Sequence, residues 1–126
     1  MKGIELLNKY PESAKIIRAW FLEKMIESLQ TADVPDEFKD MMRETGIEDD
    51  KLAIMIDSNP RMLLDVFDDN EIYISVLYTP SVFMISINQN DLGTRVKTRK
   101  EAELVAIDTA FEILENKLSP KIEENN

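Results

Sequence analysis

The sequence has no cysteine, no histidine and only three glycines in 126 residues, and each shortage removes a class of chemistry. Without Cys or His there is no thiol redox couple, Ser-His triad or Cys-His dyad, and most structural zinc and haem sites lose their ligands. Three isolated glycines form no phosphate-cradling loop. Long apolar runs are missing as well: no stretch approaches the roughly 18 residues that a membrane span requires. The opening MKGIELLNKYPES lacks the basic region, apolar core and small-residue cleavage site of a signal peptide. The expected setting is the cytoplasm, with no membrane contact, and the absence of Cys agrees with a reducing compartment.

Charge of one sign dominates what remains. Twenty-five Asp and Glu stand against 15 Lys and Arg, a net charge of −10. A duplex is repelled by such a surface on balance, so nucleic acid is not the expected partner. A chain of this length buries roughly two thirds of the surface its unfolded form exposes, enough to fold without disulfides or metal. A single domain is expected over residues 1–118. Residues 119–126, opening on Ser119-Pro120 and closing on polar side chains, read as a disordered tail.

Periodicity divides the domain into a helical half and a sheet-and-helix half. Ala14, Ile17, Phe21, Leu22, Met25, Ile26 and Leu29 recur at three- and four-residue steps, predicting a helix over Glu12–Gln30 entered at Pro11 with this face in the core. Pro35 and Gly46 bracket a second helix over Asp36–Thr45, with Phe38, Met41 and Met42 on one face. A third follows over Asp49–Asp57, and the pair Asn59-Pro60 starts a fourth over Arg61–Asp68, with Asn59 as its cap. After Asn70 the period becomes two. Ile72, Ile74, Val76 and Tyr78 alternate with Tyr73, Ser75 and Leu77, and Thr79-Pro80 turns the chain into a second strand over Val82–Asn88. Both faces of that strand are apolar, which implies cover on both sides or a face left for a partner. A third, weaker strand falls at Gly93–Lys97. Thr98 and Glu101 then form a capping box for a last helix, whose Ala102, Ala106 and Ala110 make a smooth stripe for close packing on the hairpin. The fold class is α+β.

Carboxylates are the only abundant reactive groups. Asp57, Asp65, Asp68, Asp69 and Glu71 have the oxygen donors a hard cation takes, but the EF-hand pattern fails because no Gly stands at the sixth loop position. Clustered acids of this kind ordinarily form a solvated surface with helix caps. No serine has a nucleophile-elbow context or a His base, and no carboxylate pair stands out for glycoside hydrolysis. Residues 41–57 have a helix-turn-helix rhythm, yet the second helix would present Glu48, Asp49, Asp50 and Asp57 to phosphate, the wrong charge. No cofactor and no catalytic residue are expected, and the protein is read as a non-enzyme. A carboxylate-metal enzyme remains a third alternative.

The hairpin followed by TRKEAELVAIDTAFEILENKL resembles the end of double-stranded-RNA-binding domains, where strands precede an Ala-rich helix opening on basic residues. The resemblance places Arg95, Lys97, Arg99 and Lys100 where that family meets phosphate, although Glu103 follows Ala102 where the family has a basic residue. It implies RNA binding as the alternative function. KGIELLNKYP, GIEDDKLAIMIDSNPRMLLDVFDDN and the C-terminal helix together resemble a group of uncharacterised small acidic proteins of gut Bacteroidetes and their phages. That resemblance implies a phage-related setting and adds no site residues.

Ile16 and Trp20 lie off the Phe21 and Met25 face of their helix. They form either a stripe for a partner or homodimer, or a surface packed beneath the Asp36–Thr45 helix. Tyr73 and Leu77 pose the same question for the sheet. The expected function is contact with another protein, an acidic surface meeting a basic one, nucleic-acid mimicry being one form of it.

Overall fold

Pro11 has no N–H to leave unpaired in a first helical turn, and the chain uses it there. Helix α1 (Gly3–Lys9) ends at Tyr10 and α2 (Pro11–Ser28) starts on the following residue. The structure is a computed structural model that describes residues 3–29 and 34–118; Gln30 and the expected tail from Ser119 lie outside them. Helix α1 is absent from the sequence reading. It buries Leu6 and Leu7 and docks on α4 (Asp49–Ser58), where Gly3 permits close approach: a Cβ on Gly3 would lie 2.8 Å from the Ala53 carbonyl oxygen. The Gly3 N–H donates to Asp57 Oδ1 at 2.7 Å.

Helix α3 (Asp36–Thr45) and α4 keep the boundaries their Pro, Gly and acidic signals imply to within a residue, and α5 runs Met62–Asp69. No side chain caps α5. Asn59 contributes its backbone carbonyl to the Met62 N–H (3.1 Å), a correction to the side-chain cap expected there. The exit from α5 is more specific. Ile72 N–H reaches the Phe67 carbonyl (2.8 Å) and Glu71 N–H the Asp68 carbonyl (3.0 Å), the paired bonds that close a helix through a left-handed residue. That residue is Glu71, at φ 63°. Glycine adopts this conformation without the Cβ clash that an L residue suffers. Glu71→Gly is therefore expected to raise the unfolding free energy by about 1 kcal/mol and the Tm by about 4 °C, checked by calorimetry; an unchanged or lowered Tm contradicts this account of the turn.

Strands β1 (Ile74–Thr79), β2 (Val82–Ile87) and β3 (Asn90–Val96) form an antiparallel meander in the order β1-β2-β3. The expected third strand starts three residues early, because Asn88 and Gln89 supply a two-residue turn at φ 52° and 71° without any glycine, the positive dihedrals that match strand twist. Asn88 braces it, accepting from the Tyr73 N–H at 2.8 Å and donating to the Glu71 carbonyl at 3.2 Å. A bulge between Met84 and Ser86 shifts the register on β3, where Gly93 takes φ 79°.

Helix α6 (Arg99–Leu118) covers one face of the sheet. The expected capping box is half realised: Thr98 Oγ1 accepts the Glu101 N–H at 3.1 Å, while its hydroxyl, not its backbone N–H, donates to Glu101 Oε1 at 3.0 Å. Ala102 and Ala106 are fully buried against Ile85 of β2, so the alanine stripe does set the sheet-to-helix approach. On its other side α6 meets the helical body, where Phe111 stacks on Tyr10 and meets Phe67 edge-on. The fold is α+β, a helical half followed by a three-stranded antiparallel sheet and one long helix packed between them.

Candidate interaction surfaces

The four residues singled out as a partner surface separate into two places. Ile16 and Trp20 are half-buried and pack on the main core. Trp20 is held by the end of α5, its indole N–H donating to Asp69 Oδ2 at 2.7 Å, with the Lys24 ammonium 5.3 Å above its ring and Phe21 edge-on at 5.3 Å. Its partner is thus α5, whereas α3 packs on the Leu22 side of α2. Tyr73 and Leu77 instead stand exposed on the sheet, Leu77 at 61%.

Pairing register explains their position. Leu77 faces Met84, and Met84 faces Arg95, so the three make one row across the side of the sheet turned away from α6. Ser75, Ser86 and Asp91 make the next row. Ile74, Val76, Phe83, Ile85 and Val96 point to the helix side and pack there. No described element covers the outer face. The expected cover on both sides of β2 is therefore not realised among the described residues: α6 covers one face.

The four basic residues have different surroundings. Arg95 forks onto Asp91, Nη1 to Oδ1 at 3.0 Å and Nη2 to Oδ2 at 2.9 Å, and this hydrogen-bonded guanidinium holds the Asp91 carboxyl below the ordinary carboxylate range. Arg99 points to the helix side, 5.3 Å from the Phe83 ring. Lys97 and Lys100 make no ion pair among the described residues. The carboxylates are similarly dispersed: Asp57 binds the α1 N-terminus, Asp69 binds Trp20, and no three acidic side chains converge among the described residues.

A surface that sequence reasoning missed lies between α2 and α3. None of the ten residues of α3 is fully buried. Its apolar face, Phe38, Met41 and Met42, leaves Phe38 43% and Met41 52% exposed, and Met25 of α2, expected in the core, is exposed beside it. Leu22, Met25, Met41, Met42, Gly46 and Ile47 line a recess of about 230 Å³ there. Helical periodicity identified Phe38, Met41 and Met42 as one face; it contains no information on how much of that face the rest of the chain covers.

Carboxylates flank the apolar face of α3. The helix carries Asp36, Glu37, Asp40 and Glu44, while Glu23 and Glu27 of α2 lie on the Trp20 side of that helix. The cations nearby are already engaged. Arg43 bonds both Glu23 (3.0 Å) and Asp40 (3.2 Å), clamping α3 to α2, while Lys24 lies 3.6 Å from Glu27. Glu37 and Glu44 make no ion pair among the described residues.

The chain matches no known family model, curated protein or solved structure. No described helix is long and apolar enough to cross a membrane. The reading of function therefore rests on these surfaces alone.

Proposed function

We propose that this chain is a protein-binding module that docks a basic amphipathic segment of its partner in the Met-rich recess between α2 and α3. The observation that carries the reading is a helix with an apolar face and no fully buried residue, set among carboxylates. Methionine is unbranched and polarisable, so Met25, Met41 and Met42 can repack around varied apolar anchors. Helices bind such grooves through side chains at three- and four-residue spacing. Glu37 and Glu44 then face the partner's cations, which speeds encounter and selects basic partners over acidic ones. Helix-in-groove binding to a basic partner gives the acidic composition a role and needs no catalytic residue.

A suitable probe is an 18-residue Leu/Lys peptide with amphipathic helical spacing, compared with a scrambled peptide of the same composition. Calorimetry is expected to show the patterned peptide binding at least tenfold tighter than the scrambled one, a difference of about 1.4 kcal/mol. Phe38→Ser/Met41→Ser is expected to abolish that preference, and raising salt to weaken both complexes. Equal affinity for the two peptides, or a preference unaffected by the double substitution, overturns the reading.

A further inference from the structure

We propose that two copies of this chain pair through the free edge of β1 to make a six-stranded antiparallel sheet. The Tyr73 C=O accepts from the Asn88 N–H across the β1–β2 ladder, and the Tyr73 N–H turns the same way, donating to the Asn88 side-chain Oδ1. In an antiparallel pair these groups alternate in direction along a strand, so Ile74, Val76 and Tyr78 aim theirs outward. No described backbone group pairs with them. An edge of this kind recruits another strand unless something blocks it.

The two edges of the sheet differ. β3 carries Asp91, Arg95, Gly93 and a bulge, the features that stop pairing. Residues 72–79, IYISVLYT, contain no charge, no proline and no glycine. An antiparallel two-fold centred on Val76 uses every residue from 73 to 79. It sets Ile74 against Tyr78 and Ser75 against Leu77, with Tyr73 opposite Thr79, and no charged side chain meets another. Asp91 is the only acid in residues 72–100, which also hold Arg95, Lys97, Arg99 and Lys100; every other acid of the 25 lies outside that segment. The β1 edge itself carries no charged side chain, so pairing there sets no like charges of a −10 chain directly opposite one another. Since β3 is blocked, the assembly closes at two copies. A two-fold perpendicular to the sheet puts both outer faces on one side, the Leu77–Met84 row of each copy continuing into the Ser75–Ser86 row of the other.

Sedimentation equilibrium on the full chain is expected to give twice the 14.6 kDa chain mass. The dimer should tighten as salt screens the net charge, the opposite sign from peptide binding in the α2–α3 recess. Ser75→Lys/Leu77→Lys, both at exposed positions, is expected to give a monomer with an unchanged far-UV spectrum, while Asn90→Lys on β3 stays dimeric. If the double variant fails to fold, Val76→Cys decides. It introduces the only thiol, and opposed Cα atoms about 5.5 Å apart lie within disulfide reach. Mild oxidation should then yield a covalent dimer, whereas Asn90→Cys should not. A wild type that stays at 14.6 kDa up to about 0.5 mM, a dimer that survives both lysines, or growth beyond two copies overturns the proposal.

Discussion

Phe111→Ala is expected to lower the unfolding free energy by about 3–5 kcal/mol, a fifth or more of what a domain of this size holds. Phe111 is fully buried. It lies 5.5 Å from the Tyr10 ring in a stacked arrangement and 5.4 Å from Phe67 edge-on, geometries that add to simple burial. Its backbone carbonyl also accepts from Ser13 Oγ at 3.4 Å. The α1–α2 junction, α5 and α6 therefore meet on one side chain, and truncation leaves a cavity that four packed elements cannot jointly collapse to fill. Urea titration should show the midpoint falling with the slope unchanged. A loss below about 1.5 kcal/mol contradicts the placement of Phe111 at this junction, because burial of a phenyl group alone exceeds it.

Glu115→Ala is expected to remove a further, separate contribution of about 2 kcal/mol. Helix α2 starts without a side-chain cap of its own, so the N–H groups of its first turn need acceptors from elsewhere. Glu115 of α6 supplies them: Oε2 accepts from the Glu12 N–H at 3.2 Å and Oε1 from the Ser13 N–H at 2.8 Å. A carboxylate there also meets the positive end of the α2 dipole. Ser13 is completely buried, so water cannot readily replace the lost acceptor. Glu115→Gln should cost less than Glu115→Ala, since one amide oxygen can still accept. Equal losses for the two substitutions would show that packing of the side chain, not capping, is what Glu115 contributes.

The pair Glu115 and Ser13 also marks where sequence reading reaches its limit. Pro11, Pro35, Gly46 and Pro60 act within a turn of themselves, so the helix boundaries they punctuate were legible locally. The switch to period two at Ile72 and the alanine stripe of α6 were legible for the same reason. A cap supplied from 102 residues away leaves no local trace. Helix α1 escaped notice because its packing depends on a close approach of Gly3 to Ala53, which no periodicity encodes. Glu71 and Asn88-Gln89 adopt left-handed conformations that residue type alone does not signal, glycine being the usual mark.

The surfaces follow the same division. Tyr73 and Leu77 stood out as sheet residues opposite the core face, but only the register joins Leu77 to Met84 and Arg95 in one row. Likewise Arg95, Lys97, Arg99 and Lys100 lie within six residues of sequence, yet Arg95 forks onto Asp91 while Arg99 lies by the Phe83 ring. The expectation for Met25 failed because its face of α2 meets α3, itself incompletely covered.

Seven methionines provide the most direct test of the proposed docking site, because their methyl resonances report separately on different parts of the fold. With the methyl groups labelled and the patterned Leu/Lys peptide added, Met25, Met41 and Met42 are expected to shift together with a single Kd, while Met84 on the outer sheet face stays in place. Movement of Met84 with the α2–α3 methionines unperturbed would contradict the account.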